Sequence, residues 1–314
     1  MKRLPVLLLA GLMFFGSGCH RKKDQDKNSD TPTTGKISIA VDQTYTPVIG
    51  AVLPVFHSMY KFAQIQPRYL PEVDAINMLL KDSVRLAITS RPLSAKEIAY
   101  FSSRKFFPKV VPVAIDGIAV VVNPSNTDTL FSVETIRKIM TGEISSWQQV
   151  NSRSKLGKIK VLFDDPNSSI VRFIVDSITK SGNLGSQLSS LQSNLDVVDF
   201  VSKNPDALGL IGVSWVSNRL DPGSRSFLEK IKVAGISVSQ PATAGNSYQP
   251  FQAYIATGKY PFTRFVYVIL TEPRPGLGTG LTSFLASDKG QRIILKTGIL
   301  PYTMPERKVH IINE

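Results

Sequence analysis

A chain of 314 residues with 42% hydrophobic and 19% charged residues has ample material for a packed core, which excludes a wholly disordered or fibrous protein. Its formal net charge of +13 suits anionic partners, yet no Lys/Arg block, RNA-binding signature or metal-finger spacing accompanies it, so no nucleic-acid partner is expected. One cysteine, Cys19, excludes an internal disulfide.

The N-terminus reads as an export signal. Met1, Lys2 and Arg3 precede an apolar run over 4–15, followed by Gly16, Ser17, Gly18 and Cys19. That run is shorter than the roughly 18–20 apolar residues of a spanning helix, and small residues before a cleavage point belong to a secretory signal. The small–small–Cys ending is similar to the lipobox of bacterial lipoproteins, in which the thiol is acylated and the cysteine becomes the new N-terminus. Gly16 departs from it, standing where a large aliphatic residue is usual; an ordinary signal peptide with an incidental cysteine is the alternative. The expectation is a signal peptide over 1–18, lipidation at Cys19, and a flexible tether over 19–35. The stretch HRKKDQDKNSDTPTTG over 20–35 is too polar to offset its own ordering entropy.

Strand-like and helix-like runs then alternate. Strands are expected over 36–41, 64–69 and 84–89, with helices over 47–60, 73–81 and 94–103; Ser94 and Glu97 have the capping-box spacing. The longer apolar run 110–123 (VVPVAIDGIAVVVN) contains Asp116–Gly117, a break that permits a bend or crossing. A second set follows, with strands over 159–163, 208–213 and 230–234 and helices over 132–140, 168–181 and 196–204. Pro222–Gly223 marks a loop, 265–270 (FVYVIL) a strongly apolar strand, and 280–286 and 289–297 the last helices, before a turn at 298–301. The pattern predicts an α/β protein of two lobes, 36–115 plus 265–314 and 116–264, with mostly parallel sheets and two hinge crossings. A cleft between them, at the carboxyl ends of strands, is the expected ligand site.

Three loops sit where a strand ends and a helix begins: 42–47 (DQTYTP), 89–93 (TSRPL) and 164–169 (DDPNSS). Hydroxyls and free backbone N–H groups at helix starts form anion sites, and Arg91 and Arg172 can add charge-assisted bonds to an oxyanion. Each loop alone is explained as well by capping; three in comparable positions point to a shared anion cleft.

The chain resembles the phosphate-binding proteins of bacterial phosphate ABC transporters, in their Bacteroidetes-type lipoprotein form. The resemblance is carried by 39–47 (IAVDQTYTP), 86–93 (LAITSRPL), 114–124 (AIDGIAVVVNP), 136–147 (IRKIMTGEISSW), 164–169 (DDPNSS), 207–212 (ALGLIG) and 290–301 (GQRIILKTGILP). It implies the two-lobed type II periplasmic-binding-protein fold, which closes on its ligand by hinge motion. It also implies inorganic phosphate as ligand, an ABC permease as partner, membrane attachment through lipid, a monomer, and neither cofactor nor metal. Thr44 and Tyr45 match the residues whose hydroxyl and backbone groups meet phosphate, and Ser168 and Ser169, beside Asn167, match the hydroxyl pair of the third loop. Three departures stand out. Arg91 lies at or beside the family's carboxylate in the second loop, after Ser90. Phe163 occupies the place of an arginine, and Leu70, Pro71 and Glu72 replace a Gly/Ser-rich stretch. A rearranged site is therefore expected, with Arg91 as the cation and Glu72 or Asp42 as the proton acceptor. The alternatives are a pocket shifted to another oxyanion or a phosphorylated small molecule, a sensor or adhesive role, and an exported phosphate-ester hydrolase.

Other features carry little chemistry. His20, His57 and His310 are far apart without metal-ligand spacing. Adjacent Asp164 and Asp165 read as caps rather than a catalytic pair, PGLGTG over 275–280 as a turn and helix start, and Trp147 as core of the second lobe. No convincing nucleophile, base or metal set for an enzyme is present.

Overall fold

The computed structural model describes residues 30–180, 182–217 and 222–303, with backbone alone for 222–225. The expected signal peptide and Cys19 lie outside the described residues, as does most of the tether. Its end does not: Asp30 Oδ1 accepts the Leu277 N–H at 2.9 Å, and the first strand begins at Thr34. The polar tail of the tether is thus part of the body, because its carboxylate caps a helix and its backbone joins a sheet.

The strands are β1 (Thr34–Asp42), β2 (Phe62–Leu70), β3 (Leu86–Thr89), β4 (Lys109–Val122), β5 (Leu130–Ser132), β6 (Lys160–Phe163), β7 (Leu188–Ser190), β8 (Ala207–Gly212), β9 (Lys232–Val233), β10 (Gly235–Ser237), β11 (Thr263–Leu270) and β12 (Leu300–Pro301). Their order along the main sheet is β2-β1-β3-β11-β4-β8-β6-β7, with β12 and β9 attached to β4. Pairing is parallel in both outer parts, β2-β1-β3 and β8-β6-β7, and antiparallel where β11 and β4 cross between them.

Strand β4 belongs to both lobes. Up to Gly117 it pairs with β11, and from Ile118 with β8. Gly117 sits at the change of partner, where a Cβ would lie 3.0 Å from Val213 Cγ2 and 3.3 Å from the Phe262 carbonyl; two chains approach there too closely for a side chain. The run Ile118–Val122 is buried throughout, which explains its uninterrupted apolar sequence.

Helices α1 (Thr46–Met59) and α2 (Glu72–Leu80) cover opposite faces of lobe 1, and α3 (Ala95–Ser103) joins α2. Val48, Ile49, Val52 and Phe56 of α1 pack with Leu281 and Phe284, while Ile76, Leu79 and Phe101 pack with Ile269 on the other side. In lobe 2, α4 (Val133–Thr141) and α5 (Trp147–Val150) build a core around Phe131, Ile136 and Trp147. Trp147 is fully buried and its indole N–H donates to the Asp206 carbonyl at 3.0 Å. Helix α6 (Ser169–Phe173) runs into a π-helical turn at Ile174–Thr179. Pro222, expected in a loop, instead opens the helix Pro222–Lys230, where its missing N–H is harmless, and this helix shortens the expected strand to β9.

Candidate ligand-binding site between the lobes

Strands β1, β3, β6 and β8 deliver their carboxyl ends, Asp42, Thr89, Phe163 and Gly212, to the junction of the lobes. Asp42 accepts the Thr44 N–H on Oδ1 at 3.0 Å and so caps the single turn Gln43–Tyr45 that leads into α1. Ser168 caps α6 by accepting the Val171 N–H at 3.3 Å. This leaves the Ser169 hydroxyl, buried, 3.4 Å from that of Thr44 in the opposite lobe.

The centre is a buried cation outside the three predicted loops. Arg264, in β11, donates to Asp116 Oδ2 through Nε at 3.2 Å and Nη2 at 3.1 Å, and through Nη1 to the Ser169 hydroxyl at 2.7 Å. Its guanidinium lies 5.6 Å from the Tyr45 ring centroid, within cation–π range. Burial works against its charge, but Tyr45, Asp116, Asp42 and Glu72 around it hold it firmly protonated.

The carboxylates respond in the opposite sense. Burial, then the charge of Glu72, pushes Asp42 up to about 7 against the pull of Arg264. Burial likewise raises Asp116 and Asp164, and lifts the Tyr45 phenol well above its ordinary range. Among the described residues, Asp42 Oδ2, the Tyr45 hydroxyl, Asp116 Oδ1 and Asp164 Oδ1 are buried without a hydrogen-bond partner. Such groups are rare in native proteins and demand a reason.

A second cation closes the other side. Glu72, the first residue of α2, accepts the Ser90 N–H at 2.7 Å and the Ser90 hydroxyl at 2.8 Å on Oε1. Its Oε2 accepts Arg172 Nε from lobe 2 at 2.6 Å, and Arg172 Nη2 reaches Ser90 Oγ at 2.7 Å. Further bonds join the lobes directly. The Thr44 carbonyl accepts from Ser214 Oγ and Trp215 Nε1, both at 3.1 Å, and Asn167, exposed itself, accepts the Val73 N–H on its carbonyl at 3.3 Å.

The structure therefore gathers Thr44, Tyr45, Glu72, Ser90, Ser168, Ser169 and Arg172, with Asn167 at the rim. Arg91 has different partners. Its two Nη atoms donate to the two Glu97 oxygens at 2.8 Å each, in the same lobe, and this pairing holds the Glu97 carboxyl down at about 2. Glu97 thus serves both the capping box of α3 and Arg91. Sequence reasoning missed Arg264, Asp116, Ser214 and Trp215. The available signal was an arginine opening the otherwise apolar strand RFVYVIL, and a polar turn directly after ALGLIG. Elsewhere, the glycine-rich turn after β11 is occupied by the protein's own Glu272, which accepts the N–H groups of Gly276, Gly278 and Thr279.

Two cations set in hydroxyls at the meeting of two α/β lobes form an arrangement that can hold an anion. Residues 26–289 match the PBP superfamily domain, more than half of the chain. The chain belongs to the PBP superfamily. Within it, the chain is similar to phosphate-binding protein PstS of Borreliella burgdorferi, 23% identical with 96% of this chain and 99% of that one aligned. PstS of Bacillus subtilis is 22% identical over 96% and 94%. Among solved structures, a putative phosphate ABC transporter substrate-binding protein from Clostridium perfringens, with bound phosphate, shares the fold. It superposes with a TM-score of 0.73 at 18% identity, covering 86% of this chain and all of that one. Among the described residues, no group of three or more His, Cys, Asp or Glu is placed to hold a metal ion, and no helix is long and apolar enough to cross a membrane.

Proposed function

We propose that this PBP-superfamily chain is an extracytoplasmic receptor that encloses inorganic phosphate between its lobes and hands it to an ABC permease, without catalysing a reaction on it. The observation that carries this reading is Arg264, a buried guanidinium at the crossing strands with the Ser169 hydroxyl on it and the Thr44 hydroxyl beside that. The PstS relatives support the choice of ligand.

In this reading Arg264 and Arg172 supply the positive charge, and Thr44, Ser90 and Ser169 supply hydroxyl donors. Tyr45, Ser168 and Asn167 shape the loops. Asp42, with one oxygen bonded and one unpartnered, accepts the proton of a phosphate P–OH once it is itself ionised, above about pH 7, and sulfate has no such proton to give. Glu72 orients Arg172 and Ser90, and Arg91 stands outside the site with Glu97. The short bridges across the junction, 3.4 Å from Thr44 to Ser169 and 2.6 Å from Glu72 to Arg172, favour a compact ion over an elongated phosphorylated metabolite. Lobe 1 and lobe 2 would part about the crossing at Gly117 and β11. A lipid on Cys19 would keep this monomeric receptor beside the permease.

Thermal denaturation across phosphate, arsenate and sulfate tests the reading. A ligand at a hundred times its Kd stabilises the native state by about 2.7 kcal/mol, so phosphate must raise the melting temperature more than sulfate does. No shift with phosphate, or turnover of a chromogenic phosphate ester abolished by Arg264→Met, would defeat it.

A further inference from the structure

The most exposed large apolar side chain of the described residues is far from this cleft. Phe107 is 78% exposed and its neighbour Phe106 41%. They sit in the sequence RKFFPK over 104–109, in which Arg104, Lys105 and Lys109 are all exposed. Among the described residues, no carboxylate lies within ion-pair distance of these three cations.

The loop has a defined shape. Helix α3 closes with Lys105 N–H donating to the Ser102 carbonyl at 2.9 Å and Phe106 N–H donating to that of Phe101 at 3.0 Å. Lys105 lies at φ 59°, a left-handed position that ordinarily goes to glycine at a helix end. Arg104 is laid over the Tyr100 ring, 4.3 Å from its centroid. The turn holds two phenyl groups outward, with cations on both sides.

Its place in the fold supplies the partner. Lys109 opens β4 opposite Leu270, the last residue of β11, which in turn faces Leu86, the first of β3. The ligand loops follow the carboxyl ends of β1 and β3, at the other end of the sheet; from Lys109 to Asp116 the strand spans roughly 23 Å. The chain enters lobe 1 at the same end as Phe107, since Asp30 bonds Leu277 just beyond β11. Cys19 is eleven residues before Asp30, a reach of at most about 40 Å. The acidic groups at this end are engaged, Asp30 and Glu272 at the start of the helix Leu277–Ala286 and Asp82 with Arg85 at 3.7 Å.

We propose that the 104–109 loop is a membrane-contacting element, inserting Phe106 and Phe107 into the interface of an anionic bilayer while Arg104, Lys105 and Lys109 engage the headgroups. Aromatic rings are at home at the interfacial level, and basic residues are drawn to anionic lipid.

The test uses full-length protein isolated from the cell envelope, carrying Phe107→Trp and combined with vesicles of phosphatidylcholine with or without phosphatidylglycerol. Spectra are taken as differences from the wild type, whose Trp147 is buried and Trp215 half-buried. Emission from the introduced indole is expected to shift to the blue in the anionic vesicles and to lose intensity when the lipid tails are brominated. Lys105→Glu with Lys109→Glu should move the docked-to-free ratio by roughly fivefold or more per cation toward free, and high salt should act the same way. Solvent-like emission in anionic vesicles, quenching indifferent to charge, or shielding of the introduced indole only by other envelope proteins would overturn the proposal. The readout needs no phosphate, so it stands or falls separately from the ligand assignment.

Discussion

Asp42→Asn offers the sharpest test of the buried site. The Asp42 side chain is fully buried, and its carboxyl is pushed up to about 7 by desolvation and the charge of Glu72. Below about pH 4 both native and unfolded states carry the proton, and the group contributes nothing to the difference. Between the ordinary value of 3.8 and about 7 the unfolded chain releases its proton while the native state keeps it, so stability falls as pH rises. At about 1.4 kcal/mol per pH unit, that interval amounts to at most about 4 kcal/mol of destabilisation above pH 7. Asparagine retains an oxygen for the Thr44 N–H and carries no charge. In phosphate-free buffer the variant should therefore match the wild type near pH 4 and exceed it by about 2–4 kcal/mol near pH 8, or roughly 4–8 °C in calorimetric melting temperature. Phosphate binding should weaken at the same time, and discrimination against sulfate should narrow, because the acceptor for P–OH is gone. A stability difference flat in pH, or one that shrinks as pH rises, would refute the reasoning.

Three further outcomes follow from the site geometry. Arg172→Met removes the charge-assisted bonds to Glu72 and Ser90, so titration calorimetry should show phosphate affinity down by about 1.5–3 kcal/mol, roughly 10–150-fold; unchanged affinity would exclude Arg172 from the site. Gly212→Ala drives a Cβ into Thr44 Cγ2, which should prise the lobes apart; small-angle scattering should give a larger radius of gyration together with weaker phosphate binding, and an unchanged radius would count against the closed geometry. Arg91→Ala should leave phosphate affinity alone while lowering stability by about 0.5–1 kcal/mol through the lost Glu97 pair, and a fall in affinity would return Arg91 to the ligand.

Much of the fold is readable along the chain. The longer strands and helices that the pattern predicts lie within a few residues of their expected bounds, because the apolar period, the Ser94–Glu97 box and the proline in the first turn of α1 are local signals, whereas the helix Pro222–Lys230 and short elements such as β5 and β7 carry no such pattern. The site is readable only in outline. The three loops at strand ends are visible as polar breaks before helices, but residue type alone does not say which of their side chains face one another. Arg91 stands beside Ser90 and looks like the missing cation; the carboxylate that takes it, Glu97, already has a visible role as a cap. Arg264 is hidden for the opposite reason, since an arginine at the head of an apolar strand reads as its exposed end, yet it is only 6% exposed. The end of the tether is misjudged because composition cannot reveal that Asp30 has a helix to cap.

By itself the sequence determines the alternation of strands and helices, the break at Asp116–Gly117 and the hydroxyl-bearing loops, all set by interactions within a few residues. Only the tertiary structure decides which charges meet. Arg264 finds Asp116 across 148 positions, and Arg172 finds Glu72 across 100. Neither pair has any local signature, because a buried guanidinium is tolerated only where a distant strand brings a carboxylate against it. The basic chain of the sequence thus becomes, in three dimensions, two particular cations at the junction of two lobes.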